Sequence, residues 1–208
     1  MKRRVGGILL AAGVGRRFGS DKRLARLEDG VRVLERSLER LAAVCDRTLL
    51  VLGAGDEVAA PDWRLPPGVA VMNAPRSSAG MGFSLADAIV CPEVQSWDAC
   101  LVSLADKPFI SVGTLRTVRE LLESHELVVP VHAGEWGHPV GFARSYFAAL
   151  EQLDGDRGAR GLILAHRSAA CFVCVDDPGV LADVDTPEQL EELQRQFRQH
   201  ESSPAHPL

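Results

Sequence analysis

The chain has 208 residues, of which 46% are hydrophobic and 25% charged, and its formal net charge is −5. These proportions exclude a disordered, collagenous or coiled-coil chain, and the length supports one core that buries roughly 70% of the extended-chain surface without metal or disulfide staples. The acidic balance excludes a broad nucleic-acid-binding face but leaves room for a small basic pocket, in which the three lysines, Lys2, Lys22 and Lys107, stand out among 23 cationic residues.

Strand and helix patterns alternate along the chain. Val5 to Ala12 is a nearly continuous apolar run, as in a parallel strand covered on both faces. Leu34, Leu38, Leu41 and Cys45 recur at spacings of four, three and four and mark an amphipathic helix. Thr48 to Leu52 and Val69 to Met72 read as strands, and Met81 to Val90 as a helix. Ala99 to Leu104 is an apolar strand, followed by a helix from Val112 to Ser124. Leu127 to Val131 and Pro139 to Phe142 are short strands around a turn at Gly134 to Gly137. Helices are predicted over 145–153 and 159–166, a buried strand over Cys171 to Val175, and a last helix over 187–197 with proline at its start, where the missing N–H costs nothing. The expected fold class is α/β: a single-domain, doubly wound, mostly parallel sheet over residues 1–197, with 198–208 as a flexible C-terminal tail. In such sheets ligands bind outside the carboxyl ends of the strands, so the loop after Ala12 and Asp106 are expected to face one crevice.

Five cysteines do not suggest an extracellular disulfide framework, and Cys171 and Cys174, three apart on a strand, point to opposite faces rather than to one metal. Met1 to Arg4 followed by a short apolar run imitates a signal peptide but meets Arg16-Arg17 without a cleavage region, and no stretch reaches the roughly 20 apolar residues of a membrane span. The expected setting is cytoplasmic, with no membrane and no nucleic-acid partner.

The strongest local signal runs from Leu10 through Ala11, Ala12, Gly13, Gly15 and Arg17 to Lys22. Glycines let backbone N–H groups surround phosphate oxygens, Arg17 or Arg16 offers a planar fork, and Lys22 a point charge. The spacing of Gly13, Gly15 and Gly19 is neither a dinucleotide fingerprint nor a Walker A loop. Taken alone it leaves open both a phosphate cradle and a plain strand-to-helix turn with solvated arginines.

This stretch resembles the L-A-A-G-x-G/S-x-R-M-G-x-x-K signature of the nucleotidyltransferases that act on the molybdenum cofactor. From Val5 to about Leu193 five further segments match that family in order: Asn73 with Gly80 to Leu85, Ala105 to Pro108, Gly137 to Val140, Leu153 to Arg160, and Asp183 to Glu188. Phe18 stands where the family has Met, Lys107 where it has Gln, and Gln189 where an acid often ends the last motif. Lys107 thereby places a further cation beside Asp106.

The resemblance implies a Rossmann-like nucleotidyltransferase that moves CMP from CTP to the terminal phosphate of molybdopterin and releases pyrophosphate. A phosphate monoester is already anionic near neutral pH, so the protein supplies positioning and charge neutralisation rather than a base. Mg²⁺ is the implied cofactor, held by Asp106 and Asp185 with Asp183 in reserve; the alternative for Asp185 is an acid stabilised by the helix that Pro187 begins. Arg17, Lys22 and Asp106 are the implied catalytic residues. Leu10, Ala11, Ala12, Gly13, Gly15, Arg17, Lys22, Asn73, Gly80 and Ser84 are the implied nucleotide contacts, and Ser84 fits a helix-lining role equally. His138, Arg157 and Arg160 are implied on the acceptor side; His138 before a proline fits a structural role as well, and no role as a base. Ala12 favours CTP, since the family's guanylyl enzymes tend to carry a second glycine there. The alternatives are guanylyl transfer to the same cofactor, nucleotidyl transfer to another small phosphate, and a non-catalytic carrier that delivers the cofactor; a recipient molybdoenzyme or its chaperone is the further partner.

Overall fold

Two adjacent glycines let the first strand occupy the middle of the sheet. In β1 (Val5–Leu10) a Cβ at Gly6 would fall 2.1 Å from the Trp97 ring, and one at Gly7 would fall 2.8 Å from Leu41 Cγ. Neighbouring residues of a strand face opposite sides, so the bare backbone lets a tryptophan close on one face and a helix on the other. The computed structural model describes residues 2–13, 18–56 and 63–201.

The remaining elements follow in chain order: α1 (Val33–Ala42), β2 (Arg47–Gly53), β3 (Val69–Ala74), α2 (Met81–Ile89), α3 (Pro92–Gln95), β4 (Ala99–Leu104), α4 (Val112–Leu121), β5 (Leu127–His132), β6 (Glu135–Trp136), β7 (Val140–Ala143), α5 (Phe147–Leu150), α6 (Arg160–Ala165), β8 (Cys171–Cys174) and α7 (Pro187–Glu201). The strand order is β3-β2-β1-β4-β7-β5-β6, with β8 paired to β5. Strands β1 to β4 are mutually parallel, β7 enters antiparallel between β4 and β5, and β8 runs parallel to β5. The sheet is therefore mixed but mostly parallel, as the alternation predicts.

Each face carries its own core. Leu85, Ala88 and Ile89 of α2 pack with Trp97, Tyr146, Phe147 and Ile163 on one side, while Leu34, Leu38 and Leu41 of α1 pack with Leu115, Val118 and Leu122 on the other. A third cluster of Leu27, Val33, Val184 and Leu190, with Phe18, Phe109 and Leu193 against it, fastens α7 to the segment after β1. The chain leaves β1 toward β2 on one side and meets β4 on the other, so the switch point of the sheet, where α/β ligand crevices form, lies at the ends of β1 and β4.

Three local expectations need correction. The turn predicted at 134–137 tightens to Ala133 and Gly134, at φ 49° and 84°, so Glu135 and Trp136 join the sheet as β6; a two-residue loop with both φ positive matches the strand twist. Cys171 is only half-buried and Cys174 is exposed, because among the described residues β8 pairs with β5 alone and its outer side carries no strand. The last helix reaches Glu201 rather than 197, and Phe197, inside the expected domain, stacks on Phe109 with ring centroids 4.6 Å apart. Residues 202–208 lie outside the described residues.

Candidate active site

The site forms where β4 ends. Asp106 follows the strand directly, the Ala105 N–H donates to the Leu10 carbonyl at 3.0 Å, and the Val184 N–H donates to the Asp106 carbonyl at 2.9 Å. These two bonds bring the ends of β1 and β4 and the 183–185 segment together. Lys22 enters on a single 3₁₀ turn, Lys22–Leu24, whose N-cap Asp21 accepts the Arg23 N–H. The Lys22 ammonium lies 2.6 Å from Asp106 Oδ2 and 2.9 Å from Asp185 Oδ1. Residues separated by 84 and 163 positions thus share one cation.

The three side chains grade from cover to solvent, with 12% exposure at Lys22, 21% at Asp106 and 41% at Asp185. Burial lowers the Lys22 pKa, but the Asp106 charge, followed by hydrogen bonds to both carboxylates, outweighs it and holds the ammonium above its ordinary value. The backbone of Asp185 is also fixed. Gln189 Oε1 accepts the Asp185 and Thr186 N–H groups at 3.0 and 3.2 Å, and Thr186 Oγ1 accepts the Gln189 N–H. That reciprocal arrangement is a capping box. Gln189, which the sequence leaves outside the ligand pair, therefore orients a member of it.

The carboxylates suit a divalent cation. Both reach one ammonium, and Asp106 Oδ1 is buried with no hydrogen-bond partner among the described residues, which is an acceptor awaiting a donor or a metal. Among the described residues no group of three or more His, Cys, Asp or Glu side chains assembles. Two carboxylates with the remaining coordination left to phosphates and water is the donor set Mg²⁺ favours over a closed protein cage.

A cleft of about 990 Å³ opens beside this cluster, lined among others by Ala12, Gly13, Gly53 to Asp56, Ser77, Ser78, Gly80 and Ser84, with Lys22, Asp106 and Asp185 in its wall. Its rim is held by Arg23. The guanidinium donates to both oxygens of Asp21, to Asp56 Oδ2 and Oδ1 at 2.5 and 2.9 Å, and to the Ala11 carbonyl at 2.9 Å. The Arg23 hydrogen bonds hold the Asp56 carboxyl below the usual carboxylate range. One planar fork thus joins the end of β1, the Lys22 turn and the loop after β2. Sequence reading missed both Arg23 and Asp56, because nothing local in either segment signals a partner 33 residues away.

On the far rim, Gly80 has φ 132°, and a Cβ there would lie 2.3 Å from the Gly155 carbonyl oxygen; at Gly82 it would lie 2.3 Å from that of Asp154. The Gly82 N–H donates to Gly155 O at 2.8 Å, so the 153–156 loop lies against the start of α2. Two of the matched segments are thereby in direct contact. Ser84 lines the cleft but is buried, and its hydroxyl turns back to the Gly80 carbonyl at 3.4 Å.

Asn73 is placed differently from its expected role. It is not in the cleft wall; its amide donates to the carbonyls of Gly53 and Asp56 at 2.7 and 2.8 Å, and so shapes the loop that is. Leu10 and Ala11 line the cleft, yet the Leu10 carbonyl and the Ala11 N–H and carbonyl are engaged at the strand end. Gly15 and Arg17 lie outside the described residues.

A second cavity of about 200 Å³ adjoins the first, and Leu10 and Met81 line both. His138, Arg157 and Arg160 meet in its wall together with Trp136, Val140 and Phe142. The Arg160 guanidinium lies 5.5 Å from the Trp136 ring centroid, within cation–π range. Desolvation, and secondarily the Lys107 charge, depress the His138 pKa, so the ring is neutral at pH 7. Its Nδ1 lies 3.3 Å from the Val102 carbonyl, an acceptor only, so Nδ1 carries the proton and Nε2 is left as an acceptor. Gly137 abuts Val180, where a Cβ would come within 2.6 Å of the side chain, and the His138 N–H donates to Val180 O. The Gly-His-Pro segment is therefore both structural and cavity-lining.

Residues 7–170 match the family model described as MobA-like NTP transferase domain. The chain is 31% identical over 199 residues to purine catabolism protein PucB of Bacillus subtilis, covering 91% of this chain and 95% of that protein. It is 29% identical to nicotine blue oxidoreductase of Paenarthrobacter nicotinovorans, over 91% and 96% of the two chains. It is 33% identical over 135 residues to a probable molybdenum cofactor guanylyltransferase of Chloroflexus aggregans, covering 64% of this chain and 59% of the relative. The crystal structure of Rv0371C from Mycobacterium tuberculosis H37Rv in complex with manganese superposes with a TM-score of 0.72 at 28% identity, over 94% of this chain and all of that one.

Proposed function

The chain belongs to the MobA-like NTP transferase family, and from that premise we propose that it transfers CMP from CTP to the terminal phosphate of molybdopterin and releases pyrophosphate. The observation that carries this reading is the convergence of Asp106 and Asp185 on the Lys22 ammonium in the wall of the large cleft. A transferase needs concentrated charge at one point to hold a triphosphate and to stabilise the negative charge that develops on the departing pyrophosphate.

In this reading the large cleft takes the nucleotide and the small cavity the acceptor. Lys22 neutralises phosphate oxygens, and Asp106 and Asp185 hold a divalent ion, Mg²⁺, which supplies further neutralisation when bound. The manganese complex of the Rv0371C structure supports use of a divalent ion here. The attacking phosphate is already anionic, so no side chain need remove a proton, which agrees with the absence of a protonatable base role for the neutral, carbonyl-bonded His138. His138 Nε2 instead accepts a hydrogen bond from the acceptor, and Arg157 and Arg160 provide cations on the same wall. The Ala12 methyl at the cleft narrows the space beside the backbone and supports a pyrimidine base.

Guanylyl transfer is the second reading, favoured by the similarity to the molybdenum cofactor guanylyltransferase. The test is product mass after incubating the chain with Mg²⁺, a molybdopterin source and CTP, GTP, ATP or UTP in turn. The expected product is the cytosine dinucleotide with stoichiometric pyrophosphate. Equal use of GTP overturns the base assignment, turnover independent of molybdopterin overturns the acceptor, and tight binding without turnover with any triphosphate identifies a carrier.

A further inference from the structure

We propose that Lys107 is a positioning residue: its buried ammonium latches Asp183 and so holds Asp185 opposite Asp106. The inference rests on the metal-binding role of Asp106 and Asp185 given above. Lys107 is 4% exposed and its ammonium lies 2.7 Å from Asp183 Oδ1, whereas Asp183 itself is 47% exposed. A buried ammonium without a partner is costly, so the ion pair strongly constrains where the Asp183 backbone can be.

The placement makes a clamp. Asp106 and Lys107 are consecutive at the end of β4, and they hold two consecutive residues of the opposing segment: Lys107 binds Asp183 by its side chain, and Asp106 binds Val184 by its carbonyl. Val184 is buried in the third core cluster, and the next residue is Asp185, capped by Gln189. The segment is thus anchored on both sides of Val184, and the Asp185 carboxylate emerges over Lys22. Asp183, pairing with Lys107 and not with Lys22, acts as the anchor of the segment rather than as a metal ligand.

A rival effect has the opposite sign. If Lys107 acted on the site only as a nearby positive charge, removing it would tighten cation binding. The latch requires that removal weaken it, because Asp185 would no longer be held against Asp106. Residues that orient a ligand from behind are worth roughly ten- to a hundredfold in metal affinity.

The experiment measures Mn²⁺ binding to the full chain, without nucleotide, from the electron paramagnetic resonance signal of the free ion. Asp183→Ala and Lys107→Met are each expected to weaken binding about tenfold. The double variant is expected to be no weaker than the worse single one, since both act through one contact. Asp183→Glu, which keeps the anion at an exposed position, is expected to bind within about threefold of wild type. Should Lys107→Met fail to fold on melting, the two Asp183 variants carry the test. Unchanged or tighter binding in Asp183→Ala, or additive losses in the double variant, overturn the latch. Asp106→Asn separates this from the underlying reading: weakened binding there with Asp183→Ala unaffected overturns the latch alone, and unaffected binding in Asp106→Asn overturns the metal assignment and the latch with it.

Discussion

The two cavities that meet at Leu10 and Met81 are built by opposite means. The large cleft is walled by glycines, serines and strand ends together with the charged side chains of Lys22, Asp106 and Asp185, and its shape is fixed by Arg23 at the rim, by the Asn73 amide and by the backbone contact of Gly82 with Gly155. The small cavity is walled by large side chains, Trp136, Phe142, Val140, His138 and two arginines, and its shape is their packing. A cleft whose small residues leave backbone open beside fixed charges offers N–H and C=O groups to a polar ligand and tolerates few substitutions. A cavity lined by side chains can change what it accepts by changing a residue. The comparison predicts that substitutions on the first side damage catalysis or the fold, and that those on the second alter only the handling of one substrate.

The most severe break is expected in the large cleft, at the cation its two carboxylates share. Lys22→Met removes the cation between Asp106 and Asp185 and is expected to lower pyrophosphate release about a hundred- to a thousandfold, measured as kcat. It also leaves the Asp106 and Asp185 carboxylates facing each other without their shared cation, so the melting temperature is expected to fall, and kcat is measured at a temperature where the melt shows the variant folded. Next comes the backbone-lined wall. Gly80→Ala forces a Cβ against the Gly155 carbonyl at φ 132°, and is expected to cost about 3 kcal/mol of stability, or about 10 °C in a thermal melt.

The side-chain-lined cavity should give a milder and more selective result. Arg160→Ala removes one guanidinium from the cavity and from the Trp136 ring, and is expected to raise the KM for the acceptor about tenfold while the KM for the triphosphate stays constant. A change in both constants would erase the distinction between the two cavities.

The smallest effect concerns pH. The His138 pKa is depressed from 6.5 in the folded state by desolvation and then by Lys107. The unfolded chain therefore binds more protons between the folded value and 6.5, and stability rises with pH across that window. The contribution of His138 is fully present above pH 6.5 and is lost as the pH falls through the folded value. His138→Gln, compared with wild type in denaturant titrations from pH 7.5 to 5, is expected to flatten that slope.

The sequence makes the fold legible because alternation of strand and helix is a local property. The apolar run after Arg4, the periodic leucines of α1 and the strand before Asp106 all lie where periodicity puts them. α3 was missed, although Pro92 at a first helical position signals it, since four residues carry no period. Lys22 was legible as a point charge and Asp106 as a strand-end residue on the same crevice, but Asp185 and its pairing with Asp106 were legible through the resemblance. No spacing within the chain links three residues that are joined by strand order. The same reason hid the Arg23 fork, the latch between Lys107 and Asp183, and the contact of Gly80 and Gly82 with the 153–156 loop. Asn73 shows the converse, a motif residue that shapes the site from behind its wall.

The most direct test of the account is pyrophosphate release by wild type and Asp106→Asn under saturating CTP, Mg²⁺ and molybdopterin, with the melting temperature measured on the same samples. The account predicts turnover by the wild type, loss of at least about a hundredfold in the variant, and melting curves that nearly superpose. Turnover by Asp106→Asn at the wild-type rate would contradict it.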